Sequence, residues 1–257
     1  MRIITFSSFK GGCGKSTATI LIADAFAASG RRVLVVDLDH QRNTSAYFAS
    51  SIEDTVSRNV AGIFAKQTVQ DCVVSTLTDG VDLLAGTFDI LNYRADNPRI
   101  LRNALEAVTD NYDVVVVDTA PTLDGAVKNG WYAADILVAP VEIDSFNFDG
   151  ALFMEARLRE ELPEKLNQWR LLFNNNPLQR SDNPNLPRNA IESAFFEQFP
   201  ARIMDGRLQR SQLFYDHIHS GKPISRAKAS VYAFDAVCNV AGELLGEPFA
   251  IEKGGRI

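Results

Sequence analysis

Lys10, Lys15 and Ser16 fall within the run Phe9-Lys10-Gly11-Gly12-Cys13-Gly14-Lys15-Ser16-Thr17, between a short apolar stretch, Ile3 to Phe6, and a helical pattern. A glycine-rich turn at a strand-to-helix junction points several backbone N–H groups into one concavity. The helix N-terminus adds partial positive charge there. That is a phosphate cradle. Lys15 can reach outer phosphates as a point charge, and the Ser16 hydroxyl can join the shell of a bound Mg²⁺. Gly11, Gly12, Cys13, Gly14, Lys15, Ser16 and Thr17 are therefore candidate nucleotide contacts. The general phosphate-loop pattern has a glycine where Phe9 stands. An ordinary glycine-rich turn would share the composition; the strand-to-helix position favours the cradle.

Three carboxylates follow apolar runs: Asp37 and Asp39 after Val33-Leu34-Val35-Val36, and Asp118 after Val114 to Val117. In an open α/β sheet, ligands bind at the carboxyl ends of strands. Asp118 is in the position of a carboxylate that holds Mg²⁺ through its water shell. A lone aspartate there would more often cap the next helix. Paired with Lys15, the metal role is favoured.

Helical and strand patterns alternate along the chain, which predicts an α/β fold: a mostly parallel sheet with helices on both faces. Ala18, Leu21, Ile22, Ala25 and Phe26 predict an amphipathic helix that Gly30 ends. Short helices are expected over Asn43 to Ser50 and Val60 to Ala65. A strand is expected over Val81 to Leu84, then a helix bearing Leu101, Ala104, Leu105 and Val108. Next come a helix over Ala126 to Ala134, a strand over Ile136 to Val141, a helix carrying Ala151 to Leu162, and a strand over Trp169 to Phe173. Residues 174–188 read as a loop, Ala190 to Phe199 and Ala227 to Leu245 as helices. One domain over 1–248 with a frayed tail over 249–257 is the expected organisation.

The 257 residues, 46% of them apolar, suffice for a sizeable core. A net charge of -6 means that any nucleic-acid role needs a local basic patch. Three scattered cysteines give neither a metal spacing nor a disulfide framework, which fits a reducing cytoplasm. No apolar run approaches the ~20 residues that span a bilayer, and no leader pattern is present.

Lys10 to Thr17 resembles the deviant Walker A motif of the ParA/MinD superfamily of P-loop ATPases. The resemblance covers nearly the whole chain. It is strongest over 2–45 and 112–150 and weakest over 50–100 and 175–200. It implies ATP and Mg²⁺ as ligands. It also implies a homodimer that sandwiches ATP, with Lys10 reaching the partner's phosphates. Asp37-Leu38-Asp39-His40-Gln41-Arg42-Asn43 is similar to the family's first switch, with His40 for proline and Arg42 for glycine. Asp39 would then position or activate the attacking water and Asp37 would lie near the metal. The implied catalytic set is Lys10, Lys15 and Asp39, and the metal set is Ser16, Asp37 and Asp118, the last through water. Asp118-Thr119-Ala120-Pro121 resembles the second switch. Asn174 stands where related ATPases contact adenine, and Gly221-Lys222-Pro223 begins a loop that would close over the base.

Within the superfamily, Gly246 to Ile257 lacks the basic amphipathic helix of membrane-bound members, so no membrane contact is expected. Cys72 and Cys238 read as core thiols and not as cluster ligands. Arg202, Arg207, Arg210, Lys222, Arg226 and Lys228 outnumber Asp205 and Asp216 locally. The run Gly221 to Ala229 resembles the segment in which segregation ATPases carry basic residues that contact nonspecific DNA; a solvated face is the other reading. The small ParA type, without an N-terminal helix-turn-helix, is expected, cytoplasmic and nucleoid-associated. A ParB-like centromere-binding protein or cargo adaptor would be its partner. The rivals are a dethiobiotin-synthetase-like ligase and a positioning regulator that does not bind DNA.

Overall fold

In a computed structural model of the chain, residues 1–93, 97–175, 183, 186–220 and 231–251 are described. The chain runs β1 (Arg2–Phe6), α1 (Lys15–Ala28), β2 (Val33–Leu38), then four short helices, α2 (Asn43–Phe48), α3 (Ile52–Ser57), α4 (Ala61–Phe64) and α5 (Val69–Cys72). There follow β3 (Val74–Ser75), β4 (Val81–Leu84), α6 (Ile100–Glu106), β5 (Val114–Thr119), α7 (Gly125–Ala133), β6 (Ile136–Val141), α8 (Ser145–Glu161) and β7 (Trp169–Phe173). The last helices are α9 (Pro187–Gln198), α10 (Gln212–Ser220) and α11 (Val231–Leu245).

The sheet order is β3-β4-β2-β5-β1-β6-β7, with every pair parallel except β3 with β4. The continuous apolar runs are explained by cover on both faces. Val33 and Val35 join α1 and α11 in one core, while Leu34 and Val36 join α4, α5 and α6 in another. A third core gathers β6, β7, α7, α8 and α9 around Trp131, Trp169 and Phe195. β1 lies between β5 and β6, reached from opposite directions in the chain. The crevice beyond its carboxyl end is the topological switch point at which α/β sheets bind ligands.

One expectation is corrected. α1 is not amphipathic: every residue from Ala18 to Phe26 is buried, because the helix is sandwiched between the sheet and α2, α10 and α11. A helix buried all round carries no polar face. At the start of the tail expected over 249–257, Phe249 packs edge-on against Phe26 and Ile251 is buried in the same core, while residues 252–257 lie outside the described residues. The segment after α9 runs beside β7, with Leu171 N bonded to Arg202 O and Met204 N to Leu171 O, which covers that sheet edge.

Candidate functional site

The loop between β1 and α1 is fastened on three sides. Phe9, at the position of the absent glycine, packs its ring edge-on against Trp131 of α7 and Phe153 of α8. The Asn174 amide, at the end of β7, donates to Cys13 O at 2.8 Å. Gly14 has φ +91°, and a Cβ there would lie 2.0 Å from Asn174 Nδ2, so only glycine fits. Lys15 Nζ donates to Lys10 O at 3.0 Å, which holds the ammonium inside the ring of loop backbone.

Asp37 and Asp118 stand opposite one another on β2 and β5 and are fully buried. α2 covers both. Thr44 Oγ1 donates to Asp118 Oδ2 at 2.6 Å, and Ser45 donates to Asp37 Oδ2 from its backbone and its hydroxyl. Asp37 Oδ1 takes the Asp39 N–H. Both oxygens of Asp37 are thus committed to the switch backbone and to Ser45. Asp37, expected near the metal, here anchors the first switch. Asp118 differs: Ser16 lies close enough to hold its carboxyl down, and its Oδ1 is buried without a hydrogen-bond partner. Hard oxygen donors with a lone pair left over fit Mg²⁺. Among the described residues no three His, Cys, Asp or Glu side chains form a metal site by themselves. Ser16 and Asp118 would therefore share the ion with a ligand's phosphates.

Burial pushes the Asp37 carboxyl up to about 6 and, aided by the Asp37 charge, that of Asp118 to about 7. Their folded-state values exceed the unfolded ones, so the stability they lend is present at low pH. It is lost as pH rises through the folded values. The protein in EDTA should therefore melt lower at pH 8 than at pH 5.5, by roughly 5–10 °C. Thermal unfolding at the two pH values checks this.

Asp39 is 6% exposed, accepts the Gln41 N–H at 2.9 Å and lies 3.5 Å from His40 Nδ1. His40 packs near Phe88, in keeping with a loop-packing role. Arg42 takes the left-handed conformation, φ 60°, and is held there by a 2.6 Å bond to Thr55 Oγ1. An L side chain in that region is strained. Arg42→Gly should be more stable than Arg42→Ala by about 1 kcal/mol, the reverse of the usual helix ranking. Chemical denaturation of the two variants measures the difference.

Two clefts meet at the loop. One, of about 340 Å³, is lined by the loop, Asp39, Gln41 and Pro121. The other, of about 380 Å³, is walled by Asn174, Glu142 and the α10 residues Phe214, Tyr215 and His219. Gly12, Gly14 and Thr17 line both. The first has the size and donors for phosphates, the second a mixed apolar and polar wall for a base.

Residues 1–168 match the protein family described as AAA domain. The chain is 28% identical over 232 residues to the chromosome partitioning protein ParA of Caulobacter vibrioides, covering 87% of this chain and 86% of that protein. It is 31% identical over 156 residues to the sporulation initiation inhibitor protein Soj of Bacillus subtilis, covering 58% and 61%. The chain belongs to the ParA-type P-loop ATPases. A relative from Rhizobium rhizogenes, 30% identical over the aligned part, is matched over only 46% of its length. The Cyanothece McdA–ATP complex shares the fold with a TM-score of 0.81 at 18% identity, over 98% of this chain and 99% of that one. Cobyrinic acid a,c-diamide synthase of Mycobacterium smegmatis, with an ATP analogue and magnesium, shares it at 0.74 and 19%, over 98% and 100%.

On this ParA-type scaffold Lys10 sits at the lip of the loop. Its ammonium pairs with both oxygens of Asp144 at 3.4 Å and lies 5.4 Å from the Phe146 ring. Asp144 caps α8 by accepting the Asn147 N–H. Burial raises this carboxyl, but the Asn147 donors and Lys10 outweigh it and hold it below its ordinary value.

The six candidate DNA contacts separate. Arg202 bonds Leu166 O, lies over the Trp169 ring and is 3.7 Å from Glu155. Arg207 pairs with Glu192 at 2.6 Å and lies over Phe173. Both are paired with a carboxylate and stacked on a ring. Arg210 is exposed on the rim of the base-side cleft. Lys222, Arg226 and Lys228, with Pro223, lie outside the described residues. The base-side wall on α10 was missed by the sequence reading, although Phe214, His217 and Ile218 have helical spacing.

Proposed function

We propose that the chain binds Mg·ATP in the two joined clefts and pairs with a second copy around the nucleotide. In that state it holds nonspecific DNA, and slow hydrolysis releases it, in the partition of a plasmid, chromosome or other cargo. The observation that carries the reading is the convergence, at one loop, of the enclosed Lys15 ammonium, the Ser16–Asp118 pair and Asp39. The ParA and Soj relatives support the biological role. A neighbouring structure from Borrelia burgdorferi, of a plasmid partition protein, carries AMPPNP.

The adenine base would lie against α10 and Asn174, and the phosphates under the loop N–H groups and Lys15. Ser16 and Asp118 would hold a Mg²⁺ ion, which would supply positive charge to offset that developing on the phosphates. Asp39, at the phosphate-side cleft, orients the attacking water. Lys10, turned from Asp144 to the partner's nucleotide, adds a second positive charge where negative charge grows. A ParB-like protein or cargo adaptor would stimulate turnover, and the protein would be cytoplasmic and nucleoid-associated. Among the described residues no helix is long and apolar enough to cross a membrane.

The likeness to a diamide synthase favours a second reading, a small-molecule ligase using ATP. Retention on nonspecific DNA with ATP, ADP and no nucleotide, across a salt series, separates the two. ATP-only, salt-sensitive retention supports partition. Dimerisation with ATP but no retention indicates a positioning regulator, and neither indicates the ligase. Replacing Arg226 and Lys228 together by alanine should weaken retention equally for all sequences and reduce the log–log salt slope by about 2. An unchanged slope would place the DNA surface elsewhere.

A further inference from the structure

Asp24, Tyr47 and His217 form a buried polar cluster that the nucleotide chemistry does not use. Asp24 and His217 are 3% and 2% exposed. Tyr47 Oη donates to Asp24 Oδ2 at 2.6 Å. The imidazole Nε2 lies 2.8 Å from that same oxygen and 2.7 Å from Oη. A carboxylate oxygen only accepts, so Nε2 carries a hydrogen toward it. Burial, and then the Asp24 charge, push the Tyr47 hydroxyl far above its ordinary value and keep it a donor. Buried polar groups of this kind are costly when their partners are lost, so the three side chains hold one another in place.

The cluster joins three elements. Asp24 lies in the buried middle of α1, Tyr47 on α2 and His217 on α10. α10 turns His217 inward and presents Phe214, Tyr215, Ile218 and His219 to the base-side cleft. α2 has only six residues. Besides Tyr47 it carries Thr44, bonded to Asp118, and Ser45, bonded to Asp37. A helix so short moves as one piece. The contacts run unbroken from α10 through the cluster to α2, and from α2 to the two buried carboxylates.

We propose that Asp24, Tyr47 and His217 are positioning residues that couple occupancy of the base-side cleft to the arrangement of the first switch over Asp37 and Asp118. The proposal rests on the Mg·ATP reading of the same site. A nucleotide with a base would then set the metal end of the pocket, whereas a bare polyphosphate would not. Because the effect is a coupling between two ends of one ligand site, it is measured as a ratio of affinities.

The test is calorimetric titration of ATP and of inorganic tripolyphosphate, each with and without Mg²⁺, on the full chain. Tyr47→Phe removes the hydroxyl and keeps the ring contacts with Phe48 and His217. Asp24→Asn is isosteric and serves as a second variant. The expected result is that Mg²⁺ strengthens ATP binding less in both variants than in the wild type, by at least about fivefold. Its effect on tripolyphosphate should stay unchanged. A purely structural role would shift both ligands alike, and that outcome, or no change for either, overturns the coupling. If the wild type binds no ATP, the reading of the site fails and takes the coupling with it. Normal ATP binding with unaltered variants overturns the coupling alone.

Discussion

Lys10→Ala is expected to bind ATP nearly as well as the wild type, yet to stay monomeric with ATP and to lose about 100-fold in turnover. The loop N–H groups and Lys15 remain, so the protein's own nucleotide is still held. On the proposed reading, what disappears is the ammonium that Lys10 would offer to the partner's phosphates. The geometry makes that offer inexpensive. Lys10 and Asp144 are each about one-third exposed, at 35% and 36%, and an ion pair at such a place is worth about 0–1 kcal/mol. A nucleotide phosphate with several charged oxygens outbids it. Asp144→Asn should accordingly change the dimerisation affinity by less than about fivefold. Sedimentation with ATP compares the two variants. An ATP-loaded Lys10→Ala dimer would remove Lys10 from the interface.

The parts of this molecule that are legible in its sequence are those whose cause is local. Val33 to Val36 and Val114 to Val117 are apolar without interruption because each strand is covered on both faces, and composition alone shows that. The places of Lys15 and Ser16 at the start of α1 and of Asp118 near the end of β5 follow from the glycine-rich turn and the apolar run before them. Whatever depends on distant partners stays hidden. Arg202 and Arg207 read as surface charges until Glu155 and Glu192 come beside them through the packing of α8 and α9. Asp24 and His217 are 193 residues apart in the chain, and no spacing rule connects them. Asp37 resembles a metal ligand by its place near the end of β2, but Ser45 of α2 bonds its Oδ2 and the Asp39 N–H bonds its Oδ1. α3, α5 and β3 are too short to show a period, and β3 is a two-residue strand.

Asp118→Asn should divide function from stability more sharply than any other change here. The carboxylate is buried between β2 and α2, with Oδ1 lacking any hydrogen-bond partner. Burial is the leading cause of its rise to about 7, so above that pH the folded protein carries a desolvated charge. An amide has the same shape and accepts the Thr44 bond without the charge. At pH 8 in EDTA the variant should therefore melt about 3–6 °C above the wild type, and at pH 5.5 the difference should vanish. With Mg·ATP the order reverses. An amide oxygen is a weaker ligand for a hard cation and adds no negative charge, so hydrolysis should fall by about 1,000-fold and ATP should no longer stabilise the variant as it does the wild type. Thermal melts with and without Mg·ATP at both pH values contain the whole test. A variant that melts lower than the wild type at pH 8 in EDTA would show that Asp118 supports the fold, and that its carboxylate is not held ready for a metal against the cost of burial.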